Sequence, residues 1–140
     1  MHSKLLAIAV VLSVIVGCDS KPKMAQLSGN VTFKGSPVPA GWISFTPDVG
    51  AGNNGPIKVL QIKDGAYDSA KEREAGIAPG AHLIQIAGFD GVKVKLWGQG
   101  KQIFNPIEDR FTVPEGGSTH DFVIPESAGQ NVKIQPTADE

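Results

Sequence analysis

Residues 27–34 read Leu27-Ser28-Gly29-Asn30-Val31-Thr32-Phe33-Lys34. Leu27, Gly29, Val31 and Phe33 alternate with polar neighbours, a period of two that marks a half-buried strand rather than a helix. The same period recurs along the chain. Residues 42–46 put Ile43 and Phe45 on one face and Trp42, Ser44 and Thr46 on the other. Residues 57–63 read as a strand running into Asp64-Gly65, a strong hairpin signal, before Ala66-Tyr67. Residues 82–87 form the most apolar strand, and Val92, Val94 and Leu96 alternate with Lys93 and Lys95 in a further candidate. Residues 110–113 and 120–124 flank the turn Pro114-Glu115-Gly116-Gly117. Between these, residues 35–41 hold too much Pro and Gly for a regular element, and residues 47–55 read as a loop. Residues 71–74 are charged and too few for a stable helix, and no window presents a helical apolar face. About seven short strands with frequent turns predict an all-β fold, an antiparallel sandwich.

Composition bounds the function. A chain of 140 residues predicts one domain. Thirteen Lys and Arg against 14 Asp and Glu leave none of the basic surplus that a nucleic-acid binder needs. One cysteine excludes an internal disulfide and a cysteine-rich zinc site.

The beginning of the chain reads as an address. Met1-His2-Ser3-Lys4 is a short positive start, followed by apolar residues 5–16 interrupted only by Ser13. That run fits the roughly 7–15 residues of a signal-peptide core and falls short of the roughly 20 that span a bilayer. It ends in Ile15-Val16-Gly17-Cys18, which resembles the lipobox of bacterial lipoproteins. The resemblance implies cleavage between Gly17 and Cys18, a diacylglycerol on the Cys18 thiol and an acyl chain such as palmitate on the new amino terminus. Two or more chains anchor a protein stably on a membrane, where one holds it only marginally. Residues 19–25 then form a polar tether reaching about 25 Å when extended. The expected location is the bacterial cell envelope, facing the periplasm or the exterior. Asp19 resembles an inner-membrane retention signal, a rule that differs between bacterial groups, so the leaflet stays open.

Further along, residues 27–39 and 41–45 resemble the opening strands of carboxypeptidase-regulatory-like domains. Asp64-Gly65-Ala66-Tyr67 is similar to that family's hairpin, and residues 77–86, with Pro79-Gly80 leading the strand, are similar to its next element. Residues 103–113 and 119–124 resemble the closing strands of small lipoproteins built on this domain. The resemblance covers residues 26–126 and implies a transthyretin-like (prealbumin-like) β-sandwich. His82 stands where the family usually has Tyr, and residues 92–97 are not accounted for by the family pattern. The expected organisation is therefore a signal peptide over 1–17, a lipidated cysteine and tether over 18–25, the sandwich over 26–126, and a polar tail over 127–140. Within the tail, residues 131–135 read either as an edge strand or as a frayed end.

The residues offer little catalytic chemistry. Lipid would consume Cys18. His82 and His120 share the parity of apolar neighbours in their strands and read as core or core-edge rings taking an aromatic's place. A metal pair of His82 and His120 with Asp121 or Glu115 lacks ligand spacing. A calcium site at residues 64–68 would need ligands from elsewhere. Residues 88–91 and 98–101 read as turns, since neither has phosphate-loop spacing nor a following helix. Transthyretin-like hydrolases end in Tyr-Arg-Gly-Ser; this chain ends in Pro136-Thr137-Ala138-Asp139-Glu140, so a hydrolase ranks last. The expectation is no catalytic residue, cofactor or metal. Trp42 and Trp97 are the candidate ligand-binding residues, because an exposed Trp can stack on a sugar or anchor an interface. The expected partners are the membrane, through Cys18, and an envelope protein or a glycan.

Overall fold

Strand β1, Leu27–Phe33, is the hub of the fold. The computed structural model describes residues 23–93 and 98–132. The other strands are β2 (Ser36–Pro37), β3 (Ala40–Pro47), β4 (Lys58–Lys63), β5 (Ala66–Asp68), β6 (Gly80–Phe89), β7 (Ile107–Val113), β8 (Ser118–Thr119) and β9 (Phe122–Ile124). Three 3₁₀ turns (Val49–Ala51, Ser69–Lys71, Glu126–Gly129) complete the regular structure, and there is no α-helix among the described residues. The fold is all-β. Gly17, Cys18, Val94, Leu96, Trp97 and residues 133–140 lie outside the described residues, and with them the expected signal peptide, the expected lipidation site and most of the possible C-terminal edge strand.

The strands pair in the order β2-β1-β5-β4-β3-β6-β7, with β8 and β9 on the remaining edge of β1. Pairing is antiparallel except that β8 and β9 run parallel to β1. Two hairpins turn on residues at positive φ: Lys34-Gly35 (51° and 74°) and Asp64-Gly65 (50° and 81°). Positive φ at both central residues is what a two-residue turn needs to match strand twist. The centre is β3 against β6, where Ile43 faces Ile86 and Phe45 faces Ile84. The sheet curls so far that Phe111 of β7 meets Phe122 of β9, ring centroids 5.7 Å apart. The core fills the inside of the curl, with Leu27, Ile43, Phe45, Leu60, Ile86 and Phe104 buried.

Several expectations are corrected. Residues 35–41 do contain a strand: the Lys34-Gly35 turn folds Ser36-Pro37 back onto β1, at an edge where a residue without N–H is tolerated. Residues 120–124 are not one strand; the chain breaks at His120-Asp121. There the Asp121 carboxylate stands in for backbone, accepting from Asn30 N at 2.7 Å and Asn30 Nδ2 at 3.2 Å. Gly88-Phe89 belongs to β6 rather than to a turn, and Gly88 lets the Phe104 ring pass where a Cβ would collide. The turn begins at Asp90, whose carboxylate accepts from Val92 N and Lys101 N. Val92 is exposed and in no strand.

Strand direction sorts the loops into two ends. Residues 23–26, the segment after β3, residues 69–79 and the turn 114–117 share the end at which the chain reaches β1. Ala25 is fixed there by reciprocal backbone hydrogen bonds with Ile77.

Candidate functional site

Trp42 sits on the outer face of β3, half-buried, with Gln61 of β4 and Ala87 of β6 as its cross-strand partners. Parity puts it there, because Ile43 and Phe45 occupy the inner face. Ala87 is buried although it points outward. The chain after β6 returns over this surface. Asp90 N donates to Lys101 O and Gly91 N to Gln99 O, and Gln99 Nε2 donates to Gln61 Oε1 at 3.2 Å. A bond from this loop to β4 spans the strand that carries Trp42. Trp97, two residues before Gln99, is outside the described residues. Gln61, whose side chain is bonded to Gln99, flanks Trp42 on one side, and Ala87 flanks it on the other.

The two histidines differ. His82 is buried, its Nδ1 2.9 Å from Gly80 O and its Nε2 without a hydrogen-bond partner. Its ring stands edge-on to Phe45 at 6.0 Å. This is a ring in an aromatic's place, as parity suggests. His120, expected at the core or its edge within a strand, is instead exposed at the break between β8 and β9. Its ring lies tilted against Phe111 at 4.6 Å and edge-to-face with Phe122 at 4.7 Å, and its carbonyl accepts from the Tyr67 hydroxyl at 2.6 Å. Burial, helped by the Asp121 carboxylate, pushes the Tyr67 hydroxyl pKa well above its ordinary value. No three of His, Cys, Asp and Glu come together to hold a metal ion among the described residues.

Sequence reasoning did not find a depression of about 250 Å³ beside β4 and β5, lined by Gln61, Lys63, Asp68, Lys71 and Glu72 among others. Its charges are largely spent on one another and on the backbone. Lys71 lies 3.5 Å from Asp68, and the Glu72 carboxylate accepts from Gln61 N at 3.1 Å on the free edge of β4. The one hint in the sequence is the charged run 71–74 just after the hairpin.

Comparison with family models, curated proteins and solved structures yields no match.

Proposed function

We propose that the chain is a bacterial envelope lipoprotein, cleaved after Gly17 and acylated on Cys18, whose transthyretin-like β-sandwich is a non-catalytic binding or structural module. The observation that carries this is the lipobox-like Ile15-Val16-Gly17-Cys18 placed a short polar tether ahead of a folded domain that begins at Ala25. Support for a sandwich comes from the pairing: β4 and β5 share the single register pair Lys63–Ala66, so the strands fall into a β1-centred group and a β3/β6-centred group. The residues that resemble the carboxypeptidase-regulatory-like pattern fall on β1 to β3, the β4–β5 hairpin, β6, β7 and β9, with residues 103–106 outside any strand. Recognition on such a scaffold would use loops, or a strand edge such as that of β7.

Mass spectrometry of the membrane fraction tests the proposal. The expected product begins at Cys18 and carries diacylglycerol plus an amide-linked acyl chain. Cys18→Ser should give an uncleaved or soluble species; normal processing and membrane retention of that variant would overturn the proposal.

A second reading, a carbohydrate-binding surface, is favoured by the half-exposed Trp42 next to Gln61, whose amide is in turn bonded to Gln99, since sugars stack on indole and hydrogen-bond to amides. Titrating the protein with envelope polysaccharide fragments should then give a saturable change in tryptophan fluorescence, lost in Trp42→Ala or Trp97→Ala. No response from a folded sample would leave protein recognition as the role.

A further inference from the structure

Large apolar side chains are not exposed evenly over this molecule. Among the described residues seven are exposed, and five of them (Met24, Val49, Ile57, Val59 and Leu83) lie on the half from which the tether departs. Val49 and Ile57 are the most exposed of these, at 70% and 62%. Register gathers four of the five at one corner. Val59 faces Ser44 and Leu83 faces Thr46 on the outer surface, Ile57 immediately precedes β4, and Val49 follows β3 by two residues.

The corner is braced. Asp48 accepts from Ala51 N through its side chain, its own N–H donates to Ala81 O at 2.9 Å, and its carboxylate lies 3.5 Å from Arg110. Asn53 fastens the far side of the turn to Ala81 O at 2.8 Å. A turn held by this many bonds presents Val49 outward as a fixed feature.

We infer that this corner is the membrane-facing surface of the domain, with Val49 and Ile57 dipping into the interface of the lipid bilayer that holds Cys18. The inference rests on the lipoprotein reading. It is carried by where the chain enters the domain: Ala25 is pinned to Ile77 at the same end, and the tether back to Cys18 spans at most about 25 Å. An acylated Cys18 therefore keeps this end near the headgroups, where apolar side chains gain by leaving water. Charge at this end alternates, Lys71 and Arg73 with Glu72 and Glu74, so contact is apolar and does not require anionic lipid.

The test uses the full-length lipidated protein in phosphatidylcholine vesicles. Cys18 is the only native cysteine and acylation blocks it, so Val49→Cys or Val123→Cys adds one thiol for an environment-sensitive fluorophore. Val123, 76% exposed on β9 towards the opposite end, is the control. The expected result is blue-shifted emission at position 49 that spin-labelled lipid quenches, with neither effect at position 123. Vesicle-bound protein with a water-like probe at 49, or with equal quenching at both sites, overturns the inference and leaves the lipoprotein reading intact. A blue shift that grows with protein density and ignores the quencher makes the corner a contact between copies, and also overturns it. Protein that fails to float with vesicles and whose Cys18 takes label sinks both readings.

Discussion

Tyr67 holds the junction between β5 and the β8–β9 break, and it is the only tyrosine in the protein. Its ring packs 5.7 Å from Phe122, and its hydroxyl donates to the His120 carbonyl. Ionising that hydroxyl would remove the donor and bury a phenolate near the Asp121 carboxylate, so the folded state holds the proton more tightly than the unfolded chain does. The sign follows. Above pH of about 10 the unfolded chain loses this proton while the folded protein keeps it, so the folded state binds more protons and stability falls as pH rises. Below that range the contribution is fully present. Urea midpoints measured between pH 8 and about 11 should therefore decline at the alkaline end. Tyrosinate absorbance should appear together with unfolding rather than before it. Tyr67→Phe should be less stable at neutral pH by about 1 kcal/mol and should lose much of the alkaline slope. A tyrosine that titrates near pH 10 in the folded protein would contradict this account.

At the scale of elements, β1 depends on one close approach. Gly29 pairs with Tyr67 on one edge, and on the other a Cβ at this position would run into the His120 carbonyl oxygen that Tyr67 uses. Gly29→Ala should cost about 1–3 kcal/mol, the usual range for forcing atoms into a packed site, with a lower urea midpoint and loss of the Tyr67–His120 bond. A variant as stable as the parent would mean that the β8–β9 segment can shift away from β1 freely. The same region shows what sequence could and could not convey. The centre of the fold was legible, because β3 keeps an unbroken alternation, residues 82–87 of β6 form the most apolar run, and Asp64-Gly65 supplies its own turn chemistry. The break at His120-Asp121 was not, because it is set by a carboxylate that reaches Asn30, 91 residues away. Phe104 was missed as a core residue for a related reason: outside a strand no period marks the buried side, and its place is made by Gly88. At the candidate site, parity alone put Trp42 on the outer face. The Gln61–Gln99 bond beside it joins segments 38 residues apart and leaves no local signature. The depression near Lys71 has the same origin.

Across the whole molecule, the two groups of strands are joined by backbone on one side and by rings on the other. On the first side stands the β4–β5 hairpin, with its one register pair. On the second, Phe111 of β7 meets Phe122 of β9 and both lie against His120, and no strand pairing joins β7 to β8 or β9. Aromatic burial therefore does at this seam what hydrogen bonds do elsewhere in the curl. Truncating a buried Phe typically costs about 3–5 kcal/mol. Phe122 is almost fully buried and borders the seam, where the cavity could partly fill with water, so Phe122→Ala should fall near the lower figure, about 3 kcal/mol. The distribution of the loss is the sharper expectation. With the ring gone, β8 and β9 keep their pairing to β1 but lose their grip on β7, so amide exchange should rise first in Ser118–Thr119, Phe122–Ile124 and the edge of β7 that pairs with no strand among the described residues. The β3–β6 ladder, hydrogen-bonded on both sides, should stay protected until global unfolding. Uniform acceleration of exchange over all strands would mean that the seam is no weaker than the rest, and that the two groups open as one unit.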